Sequence, residues 1–183
     1  LEEGISVRCH LEDITRADIY GYVVPFCQEL MKLSAQYNLP IVVRACDTMG
    51  YGVNYPGAVI PRSVQGIIYA IHTHAGVPHA WIEWHGHNDF YKAVTNSTTA
   101  WLYGCSGVNT SLFGIGERTG NTPLEAMIFE YAQLKGTLNG MDTTVITELA
   151  EYYEKEIGYH IPERTPFVGR NFNVTRAGIH ADG

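Results

Sequence analysis

The chain has 183 residues, 45% of them hydrophobic, and its 19 acidic against 12 basic side chains leave a net charge of −7. That is enough apolar mass for one sizeable core, while the acidic balance argues against a nucleic-acid partner. No apolar run is long enough to span a bilayer and no charged-then-apolar leader opens the chain, so neither a membrane span nor a secretory signal is expected, and the chain reads as cytoplasmic.

Short β-type runs alternate with longer helical ones, the pattern of a parallel sheet with crossover helices. The first strand is predicted over Ser6 to Leu11, followed by a helix with Ile19, Val23, Phe26, Leu30, Leu33 and Tyr37 at three- and four-residue spacing. Pro25 predicts a separate or kinked first turn, and Asn38-Leu39-Pro40 closes the helix. The second strand, Ile41 to Cys46, leads through a Gly-, Asn- and Pro-rich loop to a helix starting near Pro61. The third, Ala80 to His85, is followed by a helix from about Phe90 to Tyr103, with Ser97, Thr98 and Thr99 at its middle where it would lie close against a sheet. The fourth, Val108 to Phe113, runs through GIGERTGN into a helix from about Thr122 to Leu134. After Gly140 a further helix is predicted from Thr143 to Ile157, with Ile146, Leu149, Tyr153 and Ile157 on one face, and then an irregular tail to Gly183.

Four β-loop-α units are half of a (β/α)8 barrel, and a closed barrel removes the edges that a four-stranded sheet would expose. The fold expected is therefore α/β, the C-terminal half of a TIM barrel over residues 1–140, with a helical linker and tail over 141–183. The chain reaches a strand within six residues and has no initiator Met, which reads as a fragment lacking the earlier strands. A complete four-stranded flavodoxin-like sheet is the alternative. Cys9, Cys27, Cys46 and Cys105 lack C-x-x-C spacing and read as free, mostly buried thiols.

Two His-x-His pairs compete for attention. His85 and His87 close a strand, where residues two apart face the same way, and two imidazoles side by side suit a divalent metal. His72 and His74 lie in a helical stretch, where residues two apart point about 200° apart, so they cannot chelate one ion. Every strand also ends in polar groups: Glu12-Asp13, Asp47-Thr48, His85 to Asp89, and the GIGERTGN loop. In such barrels the strand C-termini converge on the active site.

Taken in order, HLEDITR, ACDTMG, HGHND, GIGERTGNTPLE and AGIHADG resemble the DRE-TIM metallolyases, in the branch of isopropylmalate, homocitrate, citramalate and Re-citrate synthases. The resemblance runs from Ser6 to Gly183 and implies a metal-dependent condensation of acetyl-CoA with a 2-oxo acid. It also implies that His85 and His87 are ligands of a divalent ion (Mn, Mg, Zn or Co), that Asn121 is a third, weaker ligand, and that an acidic ligand lies upstream. By the same resemblance Thr48 binds the 2-oxo acid, Glu12 is an acid/base residue near the acyl group, and His180 reaches an active site, commonly that of the partner in a homodimer. Phe90, Tyr91 and Lys92 stand where many relatives have small residues, and with the long segment from Thr48 to His85 this looks closest to the members acting on oxaloacetate.

Plainer readings stand beside these. Glu12 pairs with Arg16, Asp13, Asp47 and Asp89 cap loops or support imidazoles, and Glu117 pairs with Arg118. The amidohydrolases also place His-x-His at a strand end, although at their first strand. A non-catalytic barrel piece is the third reading.

Overall fold

A computed structural model of the chain describes residues 1–175. Four strands, β1 (Val7–Leu11), β2 (Ile41–Asp47), β3 (Ile82–Gly86) and β4 (Gly107–Asn109), form one parallel sheet in the order β1-β2-β3-β4. Strand order that never reverses is the winding of a barrel wall, whereas a flavodoxin-like sheet reverses at its switch point. The helices are α1 (Val24–Tyr37), α2 (Val64–Tyr69), α3 (Ala93–Leu102), α4 (Leu124–Lys135) and α5 (Val145–Tyr152). The chain forms two compact units, Leu1–Met127 and Ile128–Gly183.

Alternation along the strands sorts the side chains. Ile41, Val43 and Ala45 of β2 and Ile82 and Trp84 of β3 are buried against Ile19, Val23, Cys27, Ile67, Ile68 and Ile71 from the helical layer. The other face carries Arg8, His10 and Glu12, then Val42, Arg44 and Cys46, then Glu83 and His85. Glu83 accepts from Arg44 at 2.7 Å and from Arg8 at 3.0 Å, tying three strands together on that face. Burial alone would raise the Glu83 carboxyl, but Arg44 and then Arg8 outweigh it and hold it below its ordinary value.

Several elements depart from the sequence periodicity. Pro25 sits in the first turn of α1, and before it the chain makes a π-helical turn, Ile19–Val23, capped by the Asp18 carboxylate on the Gly21 amide. The wider turn shifts the phase, so Val24, Cys27, Leu30 and Ser34 are buried while Phe26 and Leu33 are exposed. The helix expected near Pro61 starts at Val64, because Ser63 caps it by accepting from the Gly66 amide. β4 ends at Asn109 rather than Phe113, since Phe113 takes a left-handed conformation (φ 56°) and Ser111 bridges to Pro123 instead of continuing the ladder. Past α5 a π-helical turn, Tyr153–Ile157, rotates the expected apolar stripe, leaving Ile157 exposed while Ile146 and Ala150 are buried.

Candidate metal and substrate site

Parallel register lines up one row of side chains across the polar face at the C-terminal rim of the sheet. Leu11 pairs with Ala45, so Glu12 follows opposite Cys46; Cys46 pairs with His85, and His85 with Asn109. His85 Nε2 faces His87 Nε2 at 3.1 Å. One ion bound by two imidazoles at about 2.0–2.1 Å holds its nitrogens roughly 2.9–3.4 Å apart, so this pair fits a divalent metal without rearrangement. The other nitrogen of His85 lies 2.8 Å from the Asn109 side-chain oxygen. An amide oxygen only accepts, so His85 carries its proton on Nδ1 and turns the Nε2 lone pair toward His87. Burial pushes the His85 pKa down, partly offset by that hydrogen bond, which favours the neutral, metal-competent ring. His87 is buried and its Nδ1 has no protein partner.

Asn121 reaches this corner from the GIGERTGN loop, bridging to His87 in antiparallel fashion. A Cβ on Gly116 would lie 1.6 Å from the Asn121 side-chain oxygen, so only glycine lets that amide sit where it does. Gly120 has φ +95°, and a Cβ there would strike the Gly114 carbonyl. Arg118 fixes the loop from outside, donating to Asp89 at 2.9 Å and to the Thr48 carbonyl. Glu117, the partner expected from sequence, is farther from it at 3.7 Å.

At the other end of the row the Thr48 hydroxyl donates to Glu12 at 2.7 Å and accepts from the Asp13 amide at 2.7 Å. Arg16 pairs with Asp13 rather than with Glu12, leaving Glu12 to the rim. Asp47 is fully buried beneath, accepting from the Thr15 hydroxyl at 2.8 Å and the Gly52 amide at 2.9 Å. Its burial raises the carboxyl pKa against the lowering effect of those donors. The structure thus brings together His85, His87 and Asn121 at one end and Glu12 and Thr48 at the other. His180 lies outside the described residues.

His72 and His74 belong to a π-helical turn, Ala70–His74. His72 Nδ1 bonds the Val77 carbonyl and its ring stacks on His79, while His74 meets Tyr20 and Tyr69 edge-on. All four cysteines are free, and three of them are buried. The register also brings Asn109, His10 and Cys46 to this rim, of which the sequence reading had only Cys46, as a free buried thiol. Counting by twos from Glu12 and by register from His85 finds all three, a signal that residue type alone does not carry. No helix among the described residues is long and apolar enough to cross a membrane.

A family model described as HMGL-like matches residues 2–152. The chain is 69% identical over its whole length to the citrate (Re)-synthase of Clostridium kluyveri and 60% identical to that of Syntrophus aciditrophicus, covering 40% and 29% of those proteins. Its fold is similar to that of a Bacillus subtilis HMG-CoA lyase, with a TM-score of 0.64 at 20% identity, over 89% of this chain and 53% of the other. The chain therefore spans well under half the length of the curated relatives it matches.

Proposed function

The chain belongs to the HMGL-like family, and on that premise we propose that the protein it forms part of condenses acetyl-CoA with oxaloacetate, consuming one water and releasing citrate and free CoA. The observation that carries the reaction class is the pair of imidazole nitrogens 3.1 Å apart on the same rim as the Glu12–Thr48 hydrogen bond. The choice of oxaloacetate rests on the 69% identity to the C. kluyveri enzyme. The isopropylmalate, homocitrate and citramalate synthase reactions are the alternatives.

In this reading His85 and His87 hold a divalent ion through Nε2, Asn121 supports it, and an acidic ligand comes from outside this chain. The bound ion, Mn, Mg, Zn or Co, supplies Lewis acidity toward the ketone of the 2-oxo acid. Thr48 turns its hydroxyl from Glu12 to the oxo-acid carboxylate, so substrate binding releases the Glu12 carboxylate at the moment a base is needed. Glu12 and His180 together handle the proton lost from the acetyl methyl group, and the enolate carbon then forms the new C–C bond. We assign residues 1–140 to the catalytic half-barrel and 141–183 to a linker and tail, with the tail crossing to the partner in a homodimer in the cytoplasm.

The test is an assay of the full-length protein with acetyl-CoA and a panel of 2-oxo acids, following free CoA thiol. Thiol release with oxaloacetate supports the proposal. Release only with 2-oxoisovalerate, 2-oxoglutarate or pyruvate overturns the citrate assignment, and release with none overturns the reaction class.

A further inference from the structure

The row that ends in His85 begins with a second group of potential ligands. His10 and Glu12 stand two apart on β1 and so share the polar face; Cys46 stands beside them on β2. One ligand atom from each, an imidazole nitrogen, a carboxylate oxygen and the thiol sulfur, lies within 4.8 Å of the other two. Among the described residues this is the only such triplet of histidine, cysteine and carboxylate side chains. The neighbouring cation does not compete for it, because Arg44 is committed to Glu83 at 2.7 Å. We propose that His10, Glu12 and Cys46 form a second metal site, distinct from the His85–His87 pair and selective for a thiophilic divalent ion such as zinc, cobalt or cadmium.

The donor set decides the class of ion. A thiolate with an imidazole and a carboxylate is the ligand mixture of zinc-type sites, whereas magnesium, calcium and manganese take oxygen-rich ones. His10 and Glu12 are exposed and can close on an ion, while Cys46 is buried at the strand end and sets the fixed point. Binding expels the thiol proton to solvent, so affinity rises with pH. Occupancy also takes Glu12 away from the Thr48 hydroxyl, which couples this site to the proposed proton transfer: a thiophilic ion inhibits where the other site's ion activates. That last consequence rests on the function proposed above, whereas the site itself does not.

Titration of the full-length protein with cadmium or cobalt, read by thiolate-to-metal charge-transfer absorption, tests the site without any turnover. The wild type is expected to develop the band. Cys46→Ser abolishes the part of it this site contributes, His10→Ala weakens the affinity at least about tenfold, since even outer partners of a metal cost that much, and His85→Ala leaves it in place. His10 is exposed, so its variant tests the ligand role without disturbing the core. A band unaffected by both Cys46→Ser and His10→Ala, or lost in His85→Ala, overturns the proposal. Failure of the citrate assay with these spectral results intact would count against the proposed reaction and not against the second site.

Discussion

Asn109→Ala isolates how much of metal binding depends on one hydrogen bond behind the ligand. In the wild type the Asn109 oxygen accepts from His85 Nδ1 at 2.8 Å, which leaves the Nε2 lone pair turned toward His87. Truncation removes a neutral hydrogen bond worth about 1 kcal/mol and leaves a partly buried N–H to be resolvated or abandoned, at a further cost of up to about 2 kcal/mol. It also frees the ring to adopt the tautomer whose Nε2 carries a proton and cannot bind metal. The hydrogen bond is present with and without the ion, so what reaches affinity is its hold on the tautomer and orientation of the ring, roughly a ten- to hundredfold loss, the range expected for an outer partner of a ligating histidine. Calorimetric titration of the full-length protein with manganese or zinc measures it, with Asn109→Asp as the companion because it keeps the acceptor. Metal affinity in Asn109→Ala equal to wild type would refute the reasoning, as would an Asp variant as weak as the Ala one.

Gly116→Ala pushes the Asn121 amide off its position, since the new methyl carbon would lie 1.6 Å from its oxygen; lower metal affinity with a nearly unchanged unfolding transition is expected, and unchanged affinity would remove Asn121 from the site. Arg118→Met cuts the tie between Asp89 and the Thr48 carbonyl. Its side chain is partly exposed, so the stability loss is small, and the larger effect is a raised KM for the 2-oxo acid; a change in kcat alone would contradict this. Glu83 is held below its ordinary value of 4.5, so its ionised pairing with the two arginines stabilises the fold above that value and is lost as pH falls through the lowered one. Thermal melts of the wild type and Glu83→Gln should therefore differ at neutral pH and converge in acid, and a constant difference across that range would show that the pairing is not the source.

The sequence made the winding of the fold legible because strand parity and loop composition are local signals. His85 and His87 were readable for the same reason, since their spacing fixes their direction once the segment is a strand. The phase of α1 was not readable: Phe26 and Leu33 look like core residues, and only the π-helical turn before Pro25 turns them outward. β4 was overextended because nothing in TSLF announces that Phe113 leaves the extended region. The place of Asn109 behind His85 was missed because it lies in cross-strand register, a long-range property that no window along the chain contains.

Trp84 and His85 are neighbours on β3 that face opposite ways, one fully buried against the helices and the other on the polar rim. The same alternation therefore writes two messages on one strand, a stability message on one side and a chemical one on the other. A slip of a single residue would exchange them, driving an imidazole into the hydrophobic layer and a tryptophan onto the rim. Selection for tight packing behind the sheet is for that reason also selection for fidelity in front of it, and substitutions that loosen the packing around Trp84 should blur the spacing of the two imidazoles before they unfold the protein.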